Sequence, residues 1–185
     1  MQTPIPLLHY HTAAPRLETD RLLLRGCQAT DLPAFAAMWA EPDFYRYLGG
    51  QPLAEEDVWT KLQRTAGHWP LMGFGYWAVE EKATGHFLGL IGFSDFHRAM
   101  EPSIQGVPEI GWVLAPHSHG KGYATEAIRA VLAWGDEQFG RARTVCIIDP
   151  QNQASLRVAE KCGYRLIGEA IYKEQPILLL ERAAG

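Results

Sequence analysis

The sequence has little cysteine, no excess of positive charge and no long apolar run, and each shortage removes a class of protein. Cys27, Cys146 and Cys162 are its only cysteines, odd in number and far apart. No CxxC or Cys/His spacing joins them, so neither a disulfide framework nor a structural zinc site is expected. They read as buried thiols in a reducing compartment. Lys+Arg number 17 against 21 Asp+Glu, a formal net charge of −4. That argues against broad nucleic-acid binding, which needs a basic footprint, but leaves room for one anionic ligand held by local backbone groups. No apolar run approaches the length of a membrane span. The opening "MQTPIPLLHYHTAAPRLE" has no basic region ahead of its short apolar run, so neither a signal peptide nor an anchor is expected and the protein is placed in the cytoplasm. His117 and His119 form an H-x-H pair, with His86 and His97 elsewhere. Without carboxylate or cysteine partners at suitable spacing, no metal is expected.

What is present is an ordinary globular chain. Its 185 residues, 47% of them hydrophobic, fit one domain over 1–185 with an irregular arm at 1–16. Residues 17–26 read as a strand. Thr30 is a plausible N-cap for a short helix over 30–40, and a second helix covers 54–68, with Val58, Leu62, Ala66 and Trp69 near one face. Strands follow at 74–81 and 86–96, joined by a "KATG" turn, and at 108–115 after a polar loop over 97–107. Ala124, Ala127, Ile128, Val131 and Leu132 then form a continuous helical stripe that stops near Gly140. A strand at 144–149 leads to a helix over 152–163, with Asn152 as N-cap and Gly163 as stop. Two hairpin-paired strands end the chain. Trp59, Trp69, Trp77 and Trp112, with Phe74 and Tyr76, read as core, with some rings available to line a cleft. The order gives a mixed α/β fold with antiparallel strands early and one strand–helix–strand crossover over 108–149.

The segment "HSHGKGYATEA" (117–127) places Gly120 and Gly122 just ahead of a helix, where glycine costs backbone entropy. One reading is a tight turn with a glycine N-cap. The other is an anion site: the first N–H groups of a helix lack partners, the dipole favours negative charge, and the glycines let a phosphate come close. The spacing is not GxxxxGK[ST]. "GKGYAT" is half a dinucleotide fingerprint, with Thr125 in place of the third glycine, and a preceding hairpin disfavours a Rossmann unit.

"PEIGWVLAPHSHGKGYATEAI" followed by "NQASLRVAEKCGY" resembles the GNAT superfamily of acetyl-CoA-dependent N-acetyltransferases. "ETDRLLLRG", "ATDLPAF" and "YKEQPILLLER" are similar to its branch of ribosomal-protein N-terminal acetyltransferases. The family's pyrophosphate loop is Gln/Arg-x-x-Gly-x-Gly/Ala, and His117, Gly120 and Gly122 stand at those positions. His117 departs from the pattern. The resemblance implies a central mixed, mostly antiparallel sheet of about six to seven strands, with one splayed pair and about four flanking helices. It implies that Trp112, Val113 and Leu114 offer free backbone groups to pantetheine. The amides of Gly120, Lys121, Gly122, Tyr123, Ala124 and Thr125 would hold the pyrophosphate, and Asn152 and Ser155 would also touch the cofactor. The co-substrate would be acetyl-CoA and the acceptor a primary amine, either a protein N-terminus or a small molecule, with no nucleic acid, membrane or metal partner. Monomer and homodimer both remain open.

Transfer to an amine requires loss of its proton, polarisation of the thioester carbonyl and protonation of the thiolate. The resemblance points to Glu109 as the base, directly or through water, against a plain strand-end glutamate. Many family members have a tyrosine seven residues after the position of Asn152; here it is Ala159. Ser155 is the replacement candidate for the acid, against a helix serine bonded back to the preceding turn. A catalytically silent acyl-CoA-binding regulator on the same scaffold is the alternative, and a nucleotide-binding module a more distant one.

Overall fold

The stretch that reads as one opening strand is cut by its own threonine. The Thr19 hydroxyl accepts the Leu22 N–H at 3.0 Å and the Thr19 N–H donates to the Leu22 carbonyl at 3.0 Å. This tight turn divides the run into β1 (Leu17–Glu18) and β2 (Leu22–Arg25). The computed structural model describes residues 5–185. Next come a 3₁₀ turn at Ala29–Asp31 and helix α1 (Leu32–Trp39). Thr30 is exposed, and Asp31 organises this entry instead. Its buried carboxylate accepts the Gln28 N–H at 2.8 Å and a bidentate pair from Arg25 at 2.8 and 3.0 Å. A four-residue helix, α2 (Pro42–Tyr45), is too short to show a periodic pattern in the sequence. Helix α3 (Glu55–Met72) outruns the expected 54–68 and passes through Pro70. Its last turn is anchored by Trp69, which is buried and donates Nε1–H to the Tyr76 carbonyl at 2.9 Å. Val58 and Leu62 are buried with it, whereas Ala66 is exposed.

The remaining elements are β3 (Tyr76–Glu81), β4 (Phe87–Ser94), β5 (Glu109–Leu114), α4 (Tyr123–Gln138), β6 (Thr144–Ile148), α5 (Gln153–Lys161), β7 (Arg165–Tyr172) and β8 (Gln175–Arg182). Eight strands form one sheet in the order β1-β2-β3-β4-β5-β6-β8-β7, with every neighbouring pair antiparallel except β5–β6. The resemblance implied six to seven strands and four helices. The split opening strand and the added α2 account for the eight strands and five α-helices observed.

The two faces of the sheet carry separate clusters. Ala127, Ile128, Val131 and Leu132 of α4 are buried in one, with Trp69, Trp77 and Trp134 in mutual edge contact at 4.7–5.6 Å. Of the expected arm, residues 1–4 lie outside the described residues, and the part from 5 to 16 packs here: the Trp77 indole donates to the Pro15 carbonyl at 2.6 Å and the Leu8 N–H to the Gln138 carbonyl at 2.9 Å. Phe35, Met38, Trp39, Val58 and Leu62 of α1 and α3 form a second cluster, against Ala78 and Leu90, and Ile104, Val145 and Leu179 form a small third one. Trp59 stays outside all three, 36% exposed. The three cysteines are free; burial raises the Cys27 thiol to about 12 and also pushes Cys146 and Cys162 up, so none is poised to react. Among the described residues no helix is long and apolar enough to cross a membrane.

Candidate functional site

Strand β5 is fully paired on one side and open on the other. Six residues, Glu109 to Leu114, pair with β4. Only Glu109 pairs with β6, opposite Val145. The Val145 N–H donates to the Pro108 carbonyl at 3.0 Å. Backbone groups alternate sides along a strand, so Trp112 and Leu114 aim theirs the same way as Pro108, into the gap between the diverging strands. Residues 111–113 are half-buried, as an unzipped edge requires. The Leu114 carbonyl is within 3.0 Å of His119 Nε2, which draws the following loop back onto the strand.

That loop ends in two left-handed glycines, Gly120 at φ +76° and Gly122 at φ +83°. An L residue at either position is strained, which answers why two glycines precede the helix. A Cβ at Gly120 would meet nothing within 4 Å, so the space above the loop is vacant. The first backbone hydrogen bond of α4 runs from the Glu126 N–H to the Gly122 carbonyl at 3.1 Å. Among the described residues, the N–H groups of 120–125 make no hydrogen bond to another backbone group. The loop is nevertheless held in place. Arg21 donates to the Lys121 carbonyl at 2.9 Å, pairs with Glu126 at 2.6 Å and lies over the Tyr123 ring at 4.5 Å. The Tyr123 hydroxyl donates to Glu81. Burial opposes the charge on Glu126, but hydrogen bonds from Thr19 and from the backbone and side chain of Arg21 outweigh it and lower its pKa.

Helix α5 forms the facing wall. Asn152 caps it, its Oδ1 accepting the Ser155 N–H at 3.0 Å. Ser155 is half-buried and its hydroxyl bonds to no carbonyl of the preceding turn. Ala159 is fully buried. A cavity of about 610 Å³ lies between these parts. Trp112, Val113, Leu114, Gly120, Gly122, Tyr123, Ala124, Thr125, Asn152 and Ser155 all line it. His117 and Lys121 do not; both are exposed, and what Lys121 contributes is its carbonyl to Arg21. Sequence reasoning missed His119; it set acceptor specificity in the loops over 42–56 and 97–107 without naming residues, and Phe44, Arg46 and Tyr47 of the first of these close one side. The H-x-H pair was a signal for His119, whereas the α2 contribution has no local signature.

Glu109 sits at the closed end of the gap and outside this cavity. It is 4% exposed, and its two oxygens accept from Arg98 at 2.7 and 2.8 Å. A carboxylate offers about four lone-pair sites, so this pair leaves acceptor capacity on Glu109. Burial works against the charge on Arg98, but its hydrogen bonds to Glu109 prevail and raise its pKa. The Tyr76 hydroxyl lies against Gly111, where a Cβ would come within 2.1 Å of it, and burial followed by the charge of Glu109 pushes that phenol up. Among the described residues, no three His, Cys, Asp or Glu side chains group to hold a metal ion.

An unzipped strand edge leading to a helix start with free amides suits a long, thin ligand that ends in an anion. The comparisons with known proteins then give the family. The acetyltransferase (GNAT) domain profile matches residues 21–165, and the chain belongs to the GNAT acetyltransferase family. It is 35% identical to the uncharacterised protein YkkB of Bacillus subtilis, over 92% of this chain and 96% of that one. A crystal structure of an acetyltransferase from Agrobacterium tumefaciens shares 29% identity and superposes with a TM-score of 0.78, covering 91% of this chain and 94% of that one. The fold also matches RimL, a ribosomal L7/L12 α-N-protein acetyltransferase solved with coenzyme A, at 18% identity and a TM-score of 0.71, over 91% of this chain and 98% of that one.

Proposed function

We propose that this acetyltransferase moves the acetyl group of acetyl-CoA to a primary amine by direct attack in a ternary complex. The observation that carries the reading is the opening of β5 from β6 beside the unpaired amides of 120–125. The pyrophosphate would take those amides, as a helix start favours. The pantetheine arm would run along the free backbone groups of Trp112 and the N–H of Leu114, whose carbonyl His119 already holds, bringing the thioester toward the closed end of the gap. There the amine nitrogen attacks the carbonyl carbon, the C–S bond breaks and CoA leaves as thiolate. Glu109 would take the amine's proton through a bridging water, using the acceptor sites that Arg98 leaves free. Ser155 lines the cavity, its hydroxyl has no hydrogen-bond partner among the described residues, and it would hand a proton to the sulfur.

The alternative, a silent acyl-CoA-binding regulator, draws on Ala159, where many relatives by resemblance have tyrosine. Two measurements separate these readings. Acetyl-CoA is expected to raise the melting temperature, and ATP is expected neither to match nor to displace it. Free thiol is expected to appear when a panel of amino acids, peptides and polyamines is added. A thermal shift with no thiol from any amine would establish the silent reading. No shift at millimolar acetyl-CoA would refute cofactor binding altogether.

A further inference from the structure

The side chains gathered at the closed end of the gap carry an excess of positive charge, arranged on two aromatic rings. Arg64 of α3 and Arg98 both stack on Phe96, with guanidinium carbons 4.3 and 5.0 Å from the ring centre. Arg98 and Lys173 both face Tyr172, at 4.7 and 5.6 Å. Three cations thus share two rings, and among the described residues the only carboxylate in an ion pair with them is Glu109, on Arg98. Arg64 and Lys173 make no ion pair among the described residues. Asp95, at the head of the loop that carries Phe96 and Arg98, accepts the N–H groups of His97 and Gly106 at 3.1 and 2.8 Å and pairs with no cation among the described residues, so it offsets only part of the positive charge. Lys61, one turn before Arg64, adds a further cation: burial lowers its pKa first and the charges of Arg64 and Lys173 lower it further, against a smaller opposing effect of Asp57.

These groups come from three separate parts of the chain: α3, the loop over 95–107, and the turn between β7 and β8. The loop and the hairpin are tied by the bridge between Glu101 and Ile171, which holds Arg98 and Tyr172 side by side. Tyr76 joins it to the gap. Its ring is 6.1 Å from Phe96, and its hydroxyl lies against Gly111, next to the cavity-lining Trp112. An acceptor reaching the thioester from this side therefore meets one carboxylate and two unpaired cations.

We propose that the acceptor is a small amine that also carries a carboxylate, of amino-acid size, with its ammonium toward Glu109 and its carboxylate toward Arg64 and Lys173. This rests on the acetyl-transfer reading above. A polyamine would bring several positive charges against the same cations, and like-charge contacts of that kind exclude partners.

The test compares kcat/KM for α-amino acids, their α-amides and spermidine in wild type, Arg64→Gln, Lys173→Gln and the double variant. Both residues are exposed, so folding is expected to survive. The acids are expected to exceed the amides, with spermidine last, and each neutralised cation is expected to shrink the acid/amide ratio by about fivefold. Preference for the amide or spermidine in wild type, or a ratio unmoved in the double variant, would overturn the proposal. Should no amine turn over, the acetyl-transfer reading fails, and calorimetry then judges the site itself. In the presence of CoA, an N-acetyl-amino acid is expected to bind more tightly than its amide, and to lose that advantage in the double variant. Equal binding, or none, would refute the carboxylate site.

Discussion

Replacing Gly122 by alanine isolates what the glycine loop is for. Gly122 has φ +83°, and a Cβ there would find only the Arg21 guanidinium nitrogen at 3.5 Å, an ordinary contact. The cost in the free protein is therefore backbone strain alone, about 1–2 kcal/mol for an L residue held left-handed. At about 2–4 °C per kcal/mol for a chain of this size, the melting temperature should fall by about 2–8 °C. Gly140 supplies a matched control. It too is left-handed, at φ +61°, and a Cβ there meets nothing within 4 Å. It lies just past the far end of the 16-residue α4, about 24 Å from the loop. Gly140→Ala should thus cost a similar amount without approaching the ligand. Acetyl-CoA at one hundred times its Kd stabilises the wild type by about 2.7 kcal/mol. If the amides of 120–125 hold its pyrophosphate, Gly140→Ala keeps that gain and Gly122→Ala loses most of it. Differential scanning fluorimetry of wild type and both variants, with and without acetyl-CoA, reads all six combinations. A full acetyl-CoA shift in Gly122→Ala would refute the amide cradle. Loss of the shift in both variants would show that general destabilisation, and not the loop, is being measured.

Three further outcomes are expected. Ser155→Ala should lower kcat near the bottom of the roughly 10²–10⁴-fold range of acid–base catalysis while keeping the acetyl-CoA shift; unchanged kcat would leave Ser155 a wall of the cavity and no more. Glu109→Gln should lose about 3 kcal/mol in urea denaturation, because the Arg98 guanidinium stays buried without its partner. Its rate defect should shrink as pH rises toward the pKa of the amine, and a defect flat in pH would make Glu109 a positioning residue for Arg98. Glu126→Gln should be less stable than wild type at pH 7. Because the folded pKa of Glu126 lies below its unfolded value, that stabilisation is present above the unfolded pKa and lost as pH falls through the folded one. The gap between the two proteins should therefore close below about pH 4, and a gap constant with pH would remove the charge of Glu126 from the account.

The elements legible in the sequence were those whose signal is local. Ala127, Ile128, Val131 and Leu132 repeat at the helical period, and all are buried on α4. Asn152 and Gly163 are a cap and a stop by chemistry alone, and they act as such at the two ends of α5. Gly120 and Gly122 could be left-handed because only glycine takes that conformation without strain, and both are. What the sequence left open depends on partners far along the chain. Thr30 looked like a cap by type, but Asp31 took over because β2 presents Arg25 to it. Glu109 read as a candidate base or a plain strand-end glutamate, and neither reading contained the bidentate partner that folding brought from a loop with no readable pattern. The divergence of β5 from β6 is likewise invisible in either strand, since each reads as an ordinary apolar run. The gap exists because they share one ladder position and then part, and the positive cluster exists because three distant segments converge on Phe96 and Tyr172. Periodicity and capping chemistry act over a few residues, which one segment can specify. Ion pairs, strand separation and the walls of a pocket are relations between segments, and only the assembled sheet sets them.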